Sequence, residues 1–330
     1  MKRLDHYWYS QNPVAWLLLP LSWLFCLVAM LRRLLYVSGV IPSYSVKAPV
    51  IIVGNITVGG TGKTPLLISL CEYLNQNGYK PGVVSRGYGA DIDSERLLTS
   101  DDDAASCGDE PVLIHQRTGR PVVIGRDRVA AAEKLLEECD CDVILSDDGL
   151  QHYRLRRKLE IAVVDLQRQF GNGFCLPAGP LREPVARLNR VDMVVYHGKC
   201  DKHYQFTLRF DEAVNLQTGE HRKMTTFADG PVHAVAGIGH PRRFFTQLRE
   251  LGLTVYEHAF ADHHVYEAGD VEFGDNAPVL VTEKDAVKLR RFCAPAEPRG
   301  RPGNIWVVPV TAEMSGRLGG DLINLLGQGG

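Results

Sequence analysis

The sequence has no large excess of charge of either sign. Its 330 residues include 37 Lys and Arg against 39 Asp and Glu, so the formal net charge is −2. Proteins that bind nucleic acid use a surplus of basic side chains to neutralise phosphates, and this chain lacks one. The composition therefore argues against nucleic acid as the main partner. The chain also contains no internal repeat or low-complexity tract, and its length suits two domains better than one.

Paired cysteines are lacking as well. The eight cysteines are Cys26, Cys71, Cys107, Cys139, Cys141, Cys175, Cys200 and Cys293. Only Cys139 and Cys141 lie close together, and a C-x-C pair without a second pair is a poor zinc signature. We therefore expect reduced, structural thiols and a main body in the cytosol.

The N-terminal region lacks charged residues over the run 14–31, which is followed by Arg32 and Arg33. Eighteen helical residues reach about 27 Å, close to the roughly 30 Å of a bilayer core. No A-x-A site ends the run and its basic residues follow it, which argues against a cleaved signal peptide. Pro20 interrupts the run. Aromatic residues of the kind that favour a membrane interface lie within the run or flank it: Tyr7, Trp8, Tyr9, Trp16, Trp23 and Tyr36.

These features favour a helix that dips into the membrane or lies on it, with Arg32, Arg33 and the body on the cytoplasmic side. A buried core helix is the alternative. The sequence does not separate a full span from a monotopic anchor.

Beyond this region, apolar runs of strand length alternate with helical patterns. The runs are 49–55, 81–89, 111–119, 121–125, 142–149, 160–165 and 191–198, and the helical patterns include 64–78 and 129–139. Such alternation predicts an α/β fold with a parallel sheet covered by helices on both faces. Loops at the carboxyl ends of its strands are then expected to form the ligand site.

The pattern changes near residue 201. Segments 204–210 and 212–227 alternate polar and apolar residues around Thr218-Gly219, which predicts a β-hairpin or hinge. A second α/β pattern follows in 232–310 and ends in a helix near 321–327. We therefore predict an N-terminal membrane-associated helix (1–40), a P-loop NTPase-like α/β/α domain (41–205), a two-stranded hinge (206–230) and a smaller Rossmann-like α/β domain (231–330).

A glycine-rich loop follows the apolar run 50–53, but it lacks the first glycine of the pattern G-x-x-x-x-G-K-[ST], where this chain has Thr57. The loop retains Gly59, Gly60 and Gly62, whose flexibility lets backbone N–H groups converge on phosphate oxygens. Lys63 would supply a charge for the β- and γ-phosphates, and Thr64 a hydroxyl for Mg²⁺. The strand–loop–helix context therefore indicates a nucleotide site despite the missing glycine.

Asp147 and Asp148 end the apolar run 142–149, where two adjacent carboxylates need a cation to offset their repulsion. A solvated turn is the alternative reading. Gln151, His152 and a basic cluster follow. Further candidates at strand ends and in loops are Arg86, Asp109, Glu110, Arg126, Arg128, Arg182 and Glu183. Such groups suit a kinase, in which arginines offset phosphoryl charge and a carboxylate or histidine accepts the acceptor's proton.

Taken in order, several motifs resemble those of the tetraacyldisaccharide 4′-kinases, the lipid A 4′-kinases of Gram-negative bacteria. They are VGNITVGGTGKTP, VVSRGYG, GDEPVLI, DDGLQHYRL, GNGFCLPAGPLRE, VAGIGHPRRFF, ADHH and VTEKDAVK. The resemblance covers nearly the whole chain, and this family uses a variant P-loop without the first glycine. It implies transfer of the ATP γ-phosphate to the 4′-hydroxyl of a tetraacyl-disaccharide 1-phosphate at the cytoplasmic face of the inner membrane. It further implies Mg²⁺ and a site in a cleft between two α/β/α domains. We expect a monomer.

The resemblance also implies roles for individual residues. The nucleotide loop comprises Gly59, Gly60, Thr61, Gly62, Lys63 and Thr64. The second nucleotide and Mg²⁺ motif comprises Asp147, Asp148, Gly149, Gln151 and His152. Arg128, Arg182 and Glu183 match residues near phosphates and metal, with Thr64, Asp147, Asp148 and Glu183 as metal ligands. Asp109 matches the catalytic acid and His263 its dyad partner from the far domain. His264 remains an alternative to His263, and Arg126 to Arg128.

Two functions of other classes stay open from the sequence alone. One is a deviant-Walker ATPase switch at a membrane, although such loops carry a lysine where this chain has Val58. The other is a non-catalytic nucleotide-binding scaffold, in which the acidic and basic strand-end residues would have no reason to gather. Acceptor-dependent ATP turnover separates both from a kinase.

Overall fold

The computed structural model describes residues 7–10, 12–90, 93–292 and 304–327. The chain forms two β-sheets flanked by helices, the α/β architecture that the alternating pattern predicts. The seven cysteines in the described residues are free thiols, as expected, and Cys293 lies outside them.

The larger sheet is built mainly from the first eight strands. They are β1 (Val50–Gly54), β2 (Pro81–Ser85), β3 (Arg96–Leu97), β4 (Val122–Ile124), β5 (Val143–Asp147), β6 (Leu159–Asp165), β7 (Met193–His197) and β8 (Gln205–Arg209). With β15 (Thr311–Met314) at one edge, the strand order is β15-β8-β7-β6-β1-β5-β2-β4-β3. The strands from β8 to β4 pair in parallel, and the two edge pairs are antiparallel.

Helices cover both faces of this sheet. They are α3 (Lys63–Gln76), α4 (Ala104–Cys107), α5 (Asp109–Thr118), α6 (Arg128–Glu138) and α9 (Gly316–Gly327). Successive residues of β1 face opposite sides, so that Ile51 and Val53 pack in one core and Val50 and Ile52 in the other. A strand buried on both faces needs a continuous apolar sequence, which is why 50–53 contains no polar residue. The run 111–119, grouped with the predicted strands, is instead helical, because 111–118 lies in α5, which ends at Thr118.

The smaller sheet has the order β10-β9-β14-β13-β11-β12. Its strands are β9 (Glu212–Asn215), β10 (His221–Lys223), β11 (Pro231–Ala236), β12 (Thr254–Ala259), β13 (Val279–Thr282) and β14 (Ile305–Val308). Helices α7 (Pro241–Glu250) and α8 (Glu283–Leu289) accompany them, and two separate apolar cores flank the sheet. The hairpin between β9 and β10 turns at Thr218-Gly219, where a turn was predicted.

Two segments lie differently from the predicted domain boundaries. Strand β15 pairs with β8, and α9 packs on α3, so 311–327 belongs with the larger sheet instead of the smaller one. The predicted hinge 206–230 is also divided, because β8 joins the larger sheet while β9 and β10 join the smaller one. The chain therefore crosses between the sheets twice, near 210–211 and near 309–310. Short alternating strands carry no local signal for which sheet they pair with, since partner choice depends on distant segments.

The N-terminal apolar run forms two helices instead of one. Helix α1 (Pro13–Leu17) ends one residue before α2 (Leu19–Val37), which carries Pro20 in its first turn and extends past Arg32 and Arg33. Among the described residues, α2 is the one helix long and apolar enough to cross a membrane, and only 6% of its most apolar window is buried. One side of α2 contacts the rest of the protein, where Ser22 Oγ donates to the carbonyl of Cys175 at 2.7 Å.

Candidate active site

A cavity of about 940 Å³ lies between the two sheets. The larger sheet contributes the glycine loop and the carboxyl ends of its central strands. The smaller sheet contributes residues 238–240, the loop containing His263, and the start of α8. Phe25, Val28 and Ala29 of α2 line the same cavity, so its wall runs from the exposed N-terminal helix to the glycine loop.

The glycine loop connects β1 to α3 and is held by a buried asparagine. Asn55 Nδ2 lies 3.2 Å from Thr61 Oγ1, and Lys63 Nζ donates to Asn55 Oδ1 at 3.2 Å. Gly59 and Gly62 have positive φ values of 106° and 88°, which a residue with a Cβ adopts only at a cost. Asn55 was missed in the sequence, where a polar residue between an apolar strand and a glycine loop was its only signal.

Thr57 explains why the first glycine is dispensable. It forms an antiparallel bridge with Leu181, and Val58 N donates to the carbonyl of Pro180 at 2.8 Å. The backbone at Thr57 is therefore extended and pairs with a neighbouring segment, and it has no positive φ. A side chain fits this conformation, so the loop needs glycine only from Gly59 onward.

Asp148 lies between two cations at the mouth of the loop. Its Oδ1 is 3.4 Å from Lys63 Nζ, and its Oδ2 accepts from Arg182 Nη1 at 2.7 Å. Burial acts to raise the pKa of this carboxyl, but Lys63 and Arg182 outweigh burial and hold the pKa well below its usual range. Asp148 therefore stays ionised. The carboxylate lies between the positive charges of Lys63 and Arg182 at the glycine loop.

Asp147 has the opposite electrostatics. Its side chain is buried, Ser85 Oγ donates to Oδ2 at 3.3 Å, and Oδ1 has no hydrogen-bond partner among the described residues. Burial, followed by the charges of Glu110 and Asp148, raises the pKa of Asp147 to about 7. An unpartnered buried carboxylate oxygen beside a second carboxylate is a place where a divalent cation fits, because the cation would offset both charges.

Arg128 and Glu183 lie at the site but are occupied by protein partners. Arg128 donates to the carbonyls of Gly125 at 2.6 Å and Asp147 at 3.3 Å, so it braces two strand ends. Both oxygens of Glu183 are engaged, one with the Tyr153 hydroxyl and the other with Gln151 Nε2 at 3.1 Å. Glu183 also lines the cavity, and its metal-ligand role stays a prediction, since each carboxylate oxygen keeps a second lone pair. Arg126, the alternative to Arg128, is exposed and does not line the cavity.

The remaining residues of the second motif shape the loop after β5. Gln151 Nε2 also donates to the carbonyl of Asn55 at 3.2 Å, which ties this loop to the glycine loop. A Cβ on Gly149 would lie 2.6 Å from Ser146 Oγ, so only glycine fits there. Burial, with Arg128 and Arg86, lowers the pKa of His152 to about 4, and its imidazole is therefore neutral at pH 7. Thr64 lies in the first turn of α3 and lines the cavity.

The structure brings Asp109 and His263 together, with His263 on the cavity wall and Asp109 buried behind it, next to cavity-lining Glu110. Asp109 begins α5 and His263 follows β12, and Asp109 Oδ2 lies 3.1 Å from His263 Nδ1. The hydrogen bond to Asp109 raises the pKa of His263 despite burial. In turn, His263 and then Lys284 lower the pKa of Asp109 against the effect of burial. The pair therefore consists of a carboxylate beside an imidazole that holds its proton more tightly than usual.

His264, the alternative partner, belongs to a different structure. Its Nε2 lies 2.9 Å from Asp270 Oδ2, and its ring stacks on Phe260 at a centroid distance of 4.6 Å. It does not line the cavity. Of the two histidines, only His263 contacts Asp109.

Lys284 was not among the sequence-predicted site residues, although it lies in the motif VTEKDAVK. Its Nζ is 3.1 Å from both Glu110 and Asp262 and 3.9 Å from Asp109. It therefore connects carboxylates of the two sheets' loops beside the dyad. A lysine at the start of a helix after a buried strand was the available signal, but its partners are distant in sequence.

The chain is similar to known proteins over nearly its whole length. A family model described as tetraacyldisaccharide-1-P 4′-kinase matches residues 14–326. The chain is 46% identical over 324 residues to the tetraacyldisaccharide 4′-kinase of Nitrosococcus oceani, which covers 98% of this chain and 94% of that protein. It is 49% identical over 316 residues to the same-named protein of Pasteurella multocida, with 94% of each chain covered. A crystal structure of LpxK from Aquifex aeolicus in complex with ATP is similar, with a TM-score of 0.79 and 26% identity over 95% of this chain and 99% of that one.

Proposed function

The chain belongs to the tetraacyldisaccharide-1-P 4′-kinase family, and on that premise we propose how its own residues carry the reaction. The protein is an ATP-dependent kinase of lipid A synthesis, and it transfers the γ-phosphate of ATP to the 4′-hydroxyl of a tetraacyl-disaccharide 1-phosphate. The hydroxyl oxygen forms the new bond to the γ-phosphorus, the bond to the β,γ-bridging oxygen breaks, and ADP leaves. An ATPase switch without an acceptor is not favoured, because the whole chain matches kinases of this family.

The glycine loop is proposed to bind the ATP phosphates through the backbone N–H groups of 59–64, at the N-terminus of α3. Lys63 and Arg182 flank Asp148 at this loop, within 3.4 Å and 2.7 Å of its two oxygens. Two cations held in this way are positioned to offset the negative charge on the transferring phosphoryl group. Arg128 supports the site indirectly, by bracing the strand that ends in Asp147.

Mg²⁺ is proposed to be held by Asp147, Asp148 and Thr64. The unpartnered Oδ1 of Asp147 supports this assignment, although the described residues contain no cluster of three His, Cys, Asp or Glu side chains suited to a metal. Oxygen ligands from two carboxylates and a hydroxyl, completed by phosphate oxygens and water, suit Mg²⁺. When bound, Mg²⁺ would offset the negative charge of the ATP phosphates. Glu183 is assigned the role of orienting Gln151, which is tied to the glycine loop.

Asp109 is proposed to accept the proton of the 4′-hydroxyl. Its Oδ1 accepts from the Glu110 N–H at 3.0 Å and its Oδ2 contacts His263 Nδ1, so both oxygens are oriented. A sugar hydroxyl is a poor nucleophile, and removing its proton as the bond to phosphorus forms lowers the barrier. His263 orients the carboxylate and stabilises its charge. The observation that carries the proposal is the 3.1 Å contact of Asp109 with His263, which lines the same cavity as Lys63 and Asp148.

The N-terminal helix is proposed to hold the protein, as a monomer, on the cytoplasmic face of the inner membrane. Large apolar side chains along α2 are exposed, including Trp23 and Leu24 at 67% and 56%. Others on the same helix, Phe25 and Val28, line the cavity. The acyl chains of the substrate would then stay in the lipid phase while its sugars reach the glycine loop. The two chain crossings near 210–211 and 309–310 are the proposed hinge between the units.

The test is acceptor-dependent phosphate transfer by the detergent-solubilised protein. Incubation with ATP, Mg²⁺ and tetraacyl-disaccharide 1-phosphate should yield the 4′-phosphorylated lipid and ADP in equal amounts. ATP hydrolysis of the same rate with and without the lipid would instead identify an ATPase. ATP binding without turnover in either case would identify a non-catalytic scaffold.

A further inference from the structure

A buried ion pair joins the two sheets next to the glycine loop. Arg243 in the first turn of α7 donates through Nη2 to Oδ1 of Asp165, the last residue of β6, at 2.5 Å. Asp165 is 1% exposed, and the side chain of Arg243 is 11% exposed. Removing two charges from water is costly, and breaking such a pair by removing one partner leaves a buried charge uncompensated. None of these residues contacts the dyad, so the pair calls for a separate explanation.

His197 connects this ion pair to the glycine loop. It ends β7 and is the direct neighbour of Asp165 across the parallel strands β6 and β7. Its Nδ1 lies 2.8 Å from Arg243 Nη1 and 3.0 Å from the carbonyl oxygen of Thr61. A guanidinium can only donate and a carbonyl oxygen can only accept, while one imidazole nitrogen either donates or accepts. The two contacts of Nδ1 therefore exclude each other as hydrogen bonds.

The imidazole is confined to these two states. Burial, followed by the charge of Arg243, lowers the pKa of His197 to about 4, so at pH 7 the ring is neutral and chooses between tautomers. Its ring stacks on Phe206 at a centroid distance of 4.5 Å and an interplanar angle of 17°, which fixes the ring plane. The position of one proton on this ring then decides which partner Nδ1 serves.

The loop backbone is in direct contact with both parts of this arrangement. A Cβ on Gly62 would lie 2.6 Å from His197 Nδ1, so the imidazole packs directly against the backbone of Gly62. From the smaller sheet, Gly239 packs on Gly60 so closely that a Cβ on Gly239 would lie 2.5 Å from Gly60 N. Movement of α7, or of the segment that precedes it, would therefore displace atoms in direct contact with the glycine loop.

We propose that Arg243, Asp165 and His197 are positioning residues that couple the seating of the smaller unit to the shape of the glycine loop. With Arg243 on Asp165, Nδ1 accepts from the guanidinium and the Thr61 carbonyl is released. With Arg243 moved away from Asp165, the ring proton of His197 moves to Nδ1. Nδ1 then donates a hydrogen bond to the Thr61 carbonyl, which restrains the glycine loop. ATP binding and seating of the smaller unit then favour each other, because linkage between two sites is reciprocal. This inference rests on the proposed function, in which the loop binds ATP phosphates.

The first test is a double-mutant cycle on the affinity for a non-hydrolysable ATP analogue. Arg243→Gln should weaken binding about tenfold in the wild-type background and less than about twofold when His197 is already Phe. Arg243→Lys should resemble Arg243→Gln, since one ammonium keeps the charge near Asp165 but cannot span to His197. Arg249→Gln, on the exposed face of the same helix, removes an ion pair with Glu257 and should leave affinity unchanged. Additive losses in the cycle, or a wild-type affinity in Arg243→Lys, would overturn the proposal.

The second test reads the tautomer directly and does not depend on the stability of the His197 variant. In ¹⁵N-histidine-labelled full-length protein with the ATP analogue, His197 Nδ1 should resonate as an unprotonated nitrogen. In Arg243→Gln it should resonate as a protonated one. The same tautomer in both proteins refutes the relay. Lipid phosphorylation by the wild-type protein is measured alongside, so that a failed relay in an active kinase is distinguished from failure of the proposed function.

Discussion

Replacement of Asp109 by Asn is the most informative perturbation of this site. The substitution keeps the shape of the side chain but removes the charge that lies 3.1 Å from His263, 3.9 Å from Lys284 and 3.7 Å from Lys288. The amide cannot accept the hydroxyl proton. General-base catalysis commonly contributes about 10²–10⁴ in rate, so kcat should fall by that factor, or about 3–5 kcal/mol in the barrier. Affinity for ATP should change little, because Asp109 has no contact with the glycine loop.

The pH profile of kcat adds a second readout. Asp109 must be ionised to accept the hydroxyl proton. Burial acts to raise its pKa, but His263 and then Lys284 outweigh burial and lower that pKa. The acidic limb of the wild-type profile should therefore lie below about pH 4. In His263→Asn the largest lowering partner is gone while burial remains, so the limb should move to higher pH. In Asp109→Asn the titrating base is gone, and the limb that belongs to it should disappear.

A matched control exists in the neighbouring histidine. His264 and Asp270 form an Asp–His contact of 2.9 Å outside the cavity, so His264→Asn removes a similar pair without touching the site and should retain activity. The double variant Asp109→Asn/His263→Asn should be hardly worse than the worse single variant, because residues that act as a unit are not additive. Strictly additive losses confined to KM would refute the dyad and leave two independent substrate-binding residues.

Three further expectations follow from the phosphate site and the N-terminal helix. Lys63→Ala should lower kcat about 10²–10³-fold through lost charge stabilisation in a protein of unchanged fold, and a near-normal kcat would refute the nucleotide loop. Lys134→Ala is the control: its partly exposed side chain on α6 pairs with Glu138 away from the cavity, so kcat should not change. Because burial first, then Glu110 and Asp148, raise the pKa of Asp147 to about 7, protons should compete with Mg²⁺ below that pH. The Mg²⁺ concentration for half-maximal activity should then rise from pH 8 to pH 6, and an unchanged requirement would exclude Asp147 as a ligand. Deletion of 1–36 should release the protein from membranes with ATP affinity retained, and continued sedimentation with vesicles would identify another anchor.

The local features of the chain follow from its sequence alone. Apolar runs such as 50–53 and 161–164 form strands because a parallel strand covered on both faces buries its side chains on either side. The glycine loop and the exposed helix α2 follow from equally local causes, the φ freedom of Gly59 and Gly62 and a long charge-free run. The family motifs predicted most of the site residues, including the pair of Asp109 and His263. They left His264 as an alternative to His263.

The tertiary structure decided between the alternatives that the sequence left open. Asp109 and His263 are 154 positions apart, and only His263 faces the cavity while His264 turns to Asp270. The local sequence also gave no indication that β15 pairs with β8, or that Glu183 is hydrogen-bonded by Gln151. Such contacts depend on the packing of whole sheets, because the direction of a side chain at a strand end or in a loop is set by segments that the neighbouring sequence does not encode. Helices and loops form from nearby residues, whereas the site forms from the way they are brought together.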